Sequence, residues 1–202
     1  MKLKKPLFWD YKKPSFLSYA LLPFTLIVIF NNHFFINKKI FKKKIKKIKT
    51  ICIGNIYVGG TAKTPLTIKI ADILDKLNYK NVVIKKYYKN QIDEQKLLSK
   101  KVKLYCHNKR QESLDIAIKN KIDVAVFDDG LQDASINYDL NFVCFNSLKW
   151  VGNGCLIPAG PLREKLSSLS KYDGIFLNGI GESITKIKRI IKKNNLNIKI
   201  FE

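Results

Sequence analysis

The stretch Thr50-Ile-Cys-Ile-Gly-Asn-Ile-Tyr-Val-Gly-Gly-Thr-Ala-Lys-Thr-Pro65 decides the fold of this 202-residue chain. Its first residues form a short β-branched run that stops at Gly54, which predicts a strand with its end at that glycine. From Leu66 onward the apolar residues recur at helical spacing, and Pro65 suits the first turn of a helix because its missing N–H is not needed there. The stretch therefore predicts a strand, a glycine-rich loop and a helix in succession.

The loop between this strand and this helix has the composition of a phosphate-binding loop. Glycines let backbone N–H groups turn inward toward an anion, and the helix behind them adds its positive end. Lys63 would then reach the β- and γ-phosphates of a nucleotide, and the hydroxyl of Thr64 would hold Mg²⁺. We assign the loop to ATP binding through Tyr57, Val58, Gly59, Gly60, Thr61, Ala62, Lys63 and Thr64.

The loop departs from the common G-x4-G-K-[ST] spacing, because its two outer glycine positions are Tyr57 and Ala62. If the backbone at Ala62 has positive φ, the methyl group restricts the close approach of an anion. A glycine-rich turn followed by a chance Lys-Thr pair is the alternative interpretation.

A second set of candidate ligands follows another apolar segment. Residues 122–127 predict a buried strand, and this strand ends in Asp128-Asp129-Gly130. In a parallel sheet, such an end places carboxylates beside a metal held by the first loop. Two adjacent acids are costly unless a cation or hydrogen-bond donors neutralise them. We therefore predict that Asp128 and Asp129 bind Mg²⁺ together with Thr64, with an ordinary Asp-Gly turn as the alternative.

A Gly- and Pro-rich segment at 152–164 is predicted to enter a helix at Pro161. Arg163 is notable because only three of the 38 Lys and Arg residues are arginine. Its planar guanidinium suits a phosphate or a carboxylate, and we predict that it contacts ATP. Glu164 would lie in the first turn of the same helix, where an acid ordinarily complements the helix dipole.

The rest of the chain alternates short apolar strands with helices. Strands are predicted at 81–84, 102–105, 141–145, 174–177 and 197–201, and helices at 93–101, 110–120 and 182–193. Residues 85–89 are predicted to form a polar loop. This alternation predicts an α/β fold with a mostly parallel sheet flanked by helices.

Residues 1–49 differ in composition from the rest and are predicted to associate with a membrane. Residues 16–30 carry no charge, and lysines crowd residues 38–49. Pro23 interrupts the apolar run, which is shorter than the roughly 20 residues of a spanning helix. We predict a helix seated in the cytoplasmic leaflet with its lysines on anionic lipid phosphates. A tilted span that continues to Ile36, or an ordinary core helix, is the alternative.

Composition argues against two other classes of function. The net charge of +22 is carried almost entirely by lysine, whereas proteins that read phosphates and bases lean on arginine, so no nucleic-acid partner is predicted. The four cysteines have no ligand-like spacing and are predicted to be reduced structural thiols. His33 and His107 have no partner pattern, which argues against a Ser–His or Cys–His catalytic centre.

Several motifs together resemble the tetraacyldisaccharide 4′-kinase family, the lipid A 4′-kinases, over about residues 5–180. The motifs are Gly54-Asn55, Val58-Gly59-Gly60-Thr61, Lys63-Thr64-Pro65, Asp128-Asp129-Gly130-Leu131-Gln132, and Gly152-Asn-Gly154 with Pro158-Ala-Gly-Pro-Leu-Arg-Glu164. The resemblance implies a P-loop NTPase-like kinase with an N-terminal membrane-associated helix, at the cytoplasmic face of the inner membrane. It also implies transfer of the ATP γ-phosphate to the 4′-hydroxyl of tetraacyldisaccharide 1-phosphate, a lipid-linked disaccharide, in lipid A biosynthesis.

The resemblance further implies roles for individual residues and a division of the chain. Asp93 falls where the family has the proposed catalytic base, so it would polarise the sugar hydroxyl. Lys63 would hold the phosphates, and Glu164 would lie near Mg²⁺ and the nucleotide. Residues 1–49 would form the membrane-associated helix with basic flanks, and residues 50–202 the kinase-like α/β domain.

The chain also departs from the family pattern. Ile84-Lys-Lys-Tyr-Tyr88 stands where the family has Ser-Arg-Gly-Tyr-Gly, Gln95 replaces a proline, and Asp133 replaces a histidine. The family continues into a further portion that carries a histidine paired with the catalytic aspartate, and no residue of this sequence matches it. A degenerate or truncated homologue that binds nucleotide and membrane without catalysis is therefore the alternative function.

Overall fold

The computed structural model describes residues 5–32, 43–44, 47–133, 135–194 and 197–202. The α-helices of these residues are α1 (Phe16–Leu21), α2 (Thr25–Asn31), α3 (Lys63–Lys76), α4 (Ile92–Lys101), α5 (Arg110–Lys119) and α6 (Glu182–Lys193). The strands are β1 (Lys43–Lys44), β2 (Lys49–Gly54), β3 (Asn81–Lys86), β4 (Leu104–His107), β5 (Val124–Asp128), β6 (Ile136–Asn137), β7 (Leu140–Asn146), β8 (Gly174–Asn178) and β9 (Lys199–Phe201). Short 3-10 helices lie at Leu7–Asp10, Leu22–Phe24, Lys89–Gln91 and Leu166–Lys171.

The described strands form a mostly parallel seven-stranded sheet flanked by helices. Their hydrogen-bonded order is β4-β3-β5-β2-β7-β8-β9, and β1 pairs with β6 in a separate two-stranded sheet. Pairing is parallel between β2 and β5, between β5 and β3, between β3 and β4, and between β8 and β9. The predicted α/β class with a mostly parallel sheet is confirmed.

Contacts between residues divide the chain into two compact units. Unit A comprises Lys39–Gly54 and Ala62–Phe142, and unit B comprises Met1–Lys38, Asn55–Thr61 and Val143–Glu202. The predicted division into residues 1–49 and residues 50–202 stays a prediction. His33, the apolar residues up to Ile36 and part of the lysine-rich run lie outside the described residues.

Unit A is built on buried parallel strands. Every residue of β5 is buried, and so are the first five residues of β3. Strands covered on both faces have near-continuous apolar sequences, which explains why these two runs do not alternate with polar residues. In the sheet register, Ile53 of β2 and Lys85 of β3 both pair with Asp128 of β5, and Cys106 of β4 pairs with Lys85. The carboxyl ends of these four strands therefore meet at one edge.

Unit B contains the N-terminal helices and the C-terminal α/β segment. Helix α6 buries Ile184, Ile187 and Ile191 on one face and exposes lysines on the other. The predicted N-terminal apolar helix is broken into α1, a 3-10 turn that includes Pro23, and α2. Proline removes a backbone donor, which accounts for the break. Within the described ranges, no helix has both the length and the apolarity required to cross a bilayer.

Two predictions about local structure are wrong, and one strand has different bounds. Lys85 and Lys86 continue β3 instead of opening a polar loop, because this part of the strand pairs with both β4 and β5. The strand predicted at 102–105 is present, and it runs from Leu104 to His107. No helix begins at Pro161, since Leu162 forms bridges with Tyr57 and Leu156 and the next described helical turn is the 3-10 helix that starts at Leu166.

Candidate active site

The first half of the loop that is predicted to bind phosphate, in unit B, contains a buried amide. Asn55 is fully buried, and its Nδ2 donates to the carbonyl of Gly59 at 3.2 Å and to Thr61 Oγ1 at 3.1 Å. These two hydrogen bonds fix the conformation of the loop between Asn55 and Thr61. Gly59 has φ of 141°, a conformation that side chains rarely adopt, and it is exposed together with Gly60. The backbone of the glycine pair is thus preformed and accessible to an anion.

Tyr57 is the part of this loop that faces the protein interior. Its side chain is fully buried, its hydroxyl donates to the Asp10 carboxylate, and Lys5 Nζ donates to both residues. Burial, aided by the negative charge of Asp10, raises the pKa of Tyr57 well above its ordinary value. The side chain of Tyr57 is thereby occupied, so that any contact of this residue with ATP would come from its backbone.

The loop also pairs with the segment that contains Arg163. The amide of Arg163 donates to the carbonyl of Ile56 at 2.7 Å, and the amide of Val58 donates to the carbonyl of Pro161 at 2.9 Å. This short antiparallel pairing brings Tyr57, Val58 and Arg163, all predicted to bind ATP, into one neighbourhood of unit B. It also occupies the carbonyl of Pro161, which a helix that begins there would need for its first turn.

The second half of the loop, in unit A, begins at Ala62. Its φ of 60° and ψ of 28° are left-handed, and it caps α3. An L-residue pays about 1–2 kcal/mol for this conformation, whereas glycine adopts it freely. The sequence-based concern about Ala62 is therefore justified, because the position does require positive φ. Lys63 and Thr64 follow as the first residues of α3, where backbone N–H groups have no helical partners.

Lys63 lies beside one of the two predicted metal carboxylates. Its Nζ is 3.6 Å from Asp129 Oδ1, and the two side chains are 15% and 24% exposed. The amide of Asp129 donates to the carbonyl of Ile53 at 2.8 Å, which ties the end of β5 to the end of β2. The structure thus brings together the lysine, the helix start and the second aspartate within unit A.

Asp128 is fully buried at the end of β5. Its Oδ2 accepts a hydrogen bond of 2.6 Å from Lys85, whereas its Oδ1 has no hydrogen-bond partner among the described residues. Burial raises the pKa of Asp128 above its ordinary value, in spite of the opposing effect of Lys85. A buried carboxylate oxygen without a donor is unfavourable by itself, and a bound cation would satisfy it.

Lys85 is a site residue that sequence reasoning missed. It is 3% exposed and contacts Asp128 and, at 3.1 Å, Glu94. Burial alone lowers the pKa of Lys85, but the carboxylates of Asp128 and Glu94 outweigh it and raise the pKa, so the ammonium stays charged. No local pattern marked Lys85, because a lysine that follows an apolar run fits a polar loop equally well.

Sequence reasoning also missed Arg110, which could have been noticed because arginine is rare in this chain. It is 7% exposed, and it donates to Asp133 Oδ2 at 3.1 Å and to the carbonyl of Asp129 at 2.5 Å. The guanidinium therefore supports the turn that follows β5. Asp133, which stands where the resembling family has a histidine, serves here as the partner of this arginine.

Asp93 and Glu164 lie in different units. Asp93 is exposed in the first turn of α4 in unit A, next to Glu94. Glu164 in unit B is 2% exposed, and both of its carboxylate oxygens accept from the Tyr172 hydroxyl at 2.9 Å. Glu164 also lines a cavity of about 210 Å³ in unit B, together with Ile29, Asn32, Leu156, Lys165, Ser167, Ser168 and Lys171. It precedes a 3-10 helix and does not lie in a first helical turn as predicted.

The donor set fits a Mg²⁺ ion that is shared with a nucleotide. Among the described residues, no three Asp, Glu, His or Cys side chains converge into a protein-only metal cage. Kinases usually hold Mg²⁺ with one or two carboxylates plus substrate phosphates, so such a cage is not required. Asp128 with its unsatisfied oxygen, together with Asp129, supplies carboxylates of this kind.

Comparisons with known proteins agree with these features. A family model described as "LpxK: Tetraacyldisaccharide-1-P 4'-kinase" matches residues 16–201. The chain is 56% identical over 202 residues to "Tetraacyldisaccharide 4'-kinase" of Pelagibacter ubique, covering 99% of this chain and 63% of that protein. It is 32% identical over 194 residues to the protein of the same name from Rickettsia canadensis, covering 88% of this chain and 58% of that protein. The chain thus spans about three-fifths of the length of these curated relatives.

A solved structure shows the same fold. The crystal structure of LpxK from Aquifex aeolicus in complex with ATP superposes with a TM-score of 0.65 at 20% identity, covering 92% of this chain and 81% of that one. At this identity the likeness supports the fold. The family model matches most of the chain, and the chain therefore belongs to the tetraacyldisaccharide-1-P 4′-kinase family.

Proposed function

We propose that this chain belongs to a kinase that transfers the γ-phosphate of ATP to the 4′-hydroxyl of tetraacyldisaccharide 1-phosphate, a step of lipid A biosynthesis. The observation that carries this proposal is the placement of Lys63 beside Asp129 at the joined ends of β2 and β5. A lysine at a helix start and carboxylates at the next strand end are the two parts that an ATP-dependent phosphotransferase needs. Membership in the family supplies the substrate.

The loop and the start of α3 would bind the phosphates of ATP. The exposed backbone of Gly59 and Gly60 offers N–H groups, and the first turn of α3 adds unpaired N–H groups. Lys63 would leave Asp129 and neutralise the β- and γ-phosphates. Arg163, whose amide is held against the loop, would add a cation from unit B.

Mg²⁺ would be held by Thr64, Asp128 and Asp129, with Glu164 as the further ligand that the family resemblance implies. When bound, Mg²⁺ offsets the charge on the phosphate oxygens. Within the chain itself, Asp128 keeps its Oδ2 on Lys85 and leaves its Oδ1 for the metal. The fit therefore rests on a carboxylate oxygen that has no other partner within the described part of the chain.

Asp93 would act as the general base. It is exposed on α4, where its carboxylate is accessible to a sugar hydroxyl. Acceptance of the proton from the 4′-hydroxyl would increase the nucleophilicity of that oxygen.

We also propose that the chain works at the cytoplasmic face of the inner membrane. Large apolar side chains of the N-terminal segment are exposed to an extent that is unusual for a surface in water: Phe16 85%, Leu17 57%, Phe24 57%, Leu26 65%, Ile27 69% and Phe30 60%. Such a surface would enter the headgroup region, where a lipid-linked disaccharide also resides.

A second candidate is a homologue that binds nucleotide and membrane without turnover. The left-handed conformation of Ala62 favours it, because the methyl group stands at the position where a phosphate-binding loop usually carries glycine. This candidate predicts binding of Mg²⁺-ATP without phosphate transfer.

The test is transfer of phosphate from γ-labelled ATP to tetraacyldisaccharide 1-phosphate in detergent. Wild-type activity that is lost in both Lys63→Ala and Asp93→Ala is the expected result. Lys69→Ala is the matched control, because Lys69 lies on the same helix and its side chain is 66% exposed. Binding of Mg²⁺-ATP without transfer by the wild-type chain would refute the kinase proposal and support the second candidate.

A further inference from the structure

Lys85 connects two residues that the proposed function uses separately. Its Nζ donates to Asp128 Oδ2 at 2.6 Å and to Glu94 Oε2 at 3.1 Å. Asp128 ends β5 and would hold the metal, whereas Glu94 directly follows Asp93 in the first turn of α4. The buried ammonium of Lys85 thus links β5, which carries the proposed metal ligand, to α4, which carries the proposed base.

The sheet register makes this connection short. Lys85 and Asp128 are directly paired across β3 and β5, so their side chains leave the same face of the sheet at the same level. The side chain of Lys85 is 4% exposed and that of Asp128 is 0% exposed. Both side chains are almost inaccessible to solvent, and removal of Lys85 would leave the buried carboxylate of Asp128 without its nearest cation.

The two oxygens of Asp128 are in different situations. Lys85 occupies Oδ2 and thereby restricts rotation of the carboxylate, whereas Oδ1 is buried and has no hydrogen-bond partner in the described ranges. Groups that orient a ligating carboxylate typically change metal affinity or activity about 10- to 100-fold when they are removed. The arrangement is that of a ligand held in place by its neighbour.

The contact with Glu94 has a different character. The side chain of Glu94 is 54% exposed, so water can replace Lys85 as its partner. Asp128 is the compensating charge for Lys85 within the interior, and Glu94 adds to it from the surface. The contact links the first turn of α4, which carries Asp93, to β3.

We propose that Lys85 is a positioning residue that orients Asp128 toward Mg²⁺ and, through Glu94, aligns Asp93 with that metal position. The inference rests on the proposed kinase function. It separates two effects: the bond to Asp128 sets the metal requirement, and the bond to Glu94 sets the placement of the base. A lysine that merely neutralised a buried carboxylate would affect stability but neither of these properties.

The experiment compares Lys85→Met, Lys85→Arg, Glu94→Ala and the control Lys103→Met, an exposed lysine of the same unit. Three quantities are measured: the Mg²⁺ dependence of phosphate transfer, the affinity for Mg²⁺-ATP by calorimetry, and amide hydrogen exchange in α4. We expect Lys85→Met to raise the Mg²⁺ concentration for half-maximal activity by about 10-fold or more. Lys85→Arg should restore most of this loss, because a guanidinium can donate to both carboxylates.

Glu94→Ala keeps the experiment decisive if Lys85→Met does not fold, since Glu94 is half exposed. We expect it to lower kcat and to accelerate exchange of the α4 amides that follow residue 94, with the Mg²⁺ requirement unchanged. Unchanged exchange and unchanged kcat in Glu94→Ala would overturn the link to the base. An unchanged Mg²⁺-ATP affinity in both Lys85 variants would overturn the link to the metal.

Failure of the kinase proposal would be visible separately. In that case the wild-type chain transfers no phosphate, and calorimetry and hydrogen exchange still report on Lys85. Loss of Mg²⁺-ATP affinity in Lys85→Met, with rescue by Lys85→Arg, would then support the orienting role toward the metal alone.

Discussion

Tyr57 donates a hydrogen bond to the carboxylate of Asp10, a residue 47 positions earlier in the chain. The bond joins the glycine-rich loop to the N-terminal segment within unit B. We expect Tyr57→Phe to lower the free energy of unfolding by about 1.5–3 kcal/mol, because the lost partner is charged. Urea denaturation measures this change. Tyr79→Phe is the control, since Tyr79 is 49% exposed, and an equal loss in both variants would contradict the assignment.

Ala62→Gly should raise the free energy of unfolding and the affinity for Mg²⁺-ATP. Glycine removes a strain of about 1–2 kcal/mol at left-handed φ, and the greater freedom of the unfolded chain offsets roughly 0.4–1 kcal/mol of that gain. Denaturation and calorimetry are the measurements. Ala71→Gly in the interior of α3 should instead lower the free energy of unfolding by about 1 kcal/mol. A decrease in the free energy of unfolding for Ala62→Gly would contradict the prediction.

We predict that Asp133 contributes to the free energy of unfolding and that acid removes this contribution. Burial alone would raise its pKa, but hydrogen bonds from Ser135 and the charge of Arg110 outweigh it and hold the pKa below the ordinary value of 3.8. A group whose pKa is lower in the folded state stabilises above its unfolded pKa and loses that effect as pH falls through the folded pKa. We therefore expect the advantage of the wild-type chain over Asp133→Asn to be full near neutral pH and to shrink below pH 3.8.

Urea denaturation of both proteins over a series of pH values checks this dependence. Asp115→Asn, on the exposed side of α5, is the matched control. A constant difference between the wild-type chain and Asp133→Asn down to strongly acidic pH would show that Asp133 gains nothing from ionisation.

The double substitution Leu26→Asn and Ile27→Asn tests the proposed membrane surface. Both side chains are exposed, at 65% and 69%, so their removal should leave the free energy of unfolding within about 0.5 kcal/mol. Burial of each in the lipid interface would contribute up to about 1.5–3 kcal/mol, and vesicle binding should fall accordingly. Flotation with vesicles of anionic phospholipid measures this binding. Ile180→Asn, at a 90% exposed position outside this segment, is the control.

Much of the fold could be predicted from the sequence because it depends on local patterns. The apolar run that ends in Asp128 and the helical spacing after Pro65 each specify an element without reference to distant residues. The structure places Lys63 and Asp129 together as those patterns indicated.

The errors arose where a partner is distant in sequence. Lys85 looked like the start of a polar loop, and only its pairing with Asp128, 43 residues later, explains its burial. Helical rules favoured a helix at Pro161, but Leu162 pairs with Tyr57, more than one hundred residues earlier. A single sequence carries no signal for such pairings, since each residue type fits its local context in either conformation.

The amide of Asn55 has a consequence for how this loop responds to its surroundings. An amide has no proton to gain or lose in the physiological range and carries no net charge. Its two bonds to the loop therefore keep the same strength across pH and ionic strength. This part of the loop is then insensitive to salt, and a change of nucleotide affinity with ionic strength would report on charged groups such as Lys63.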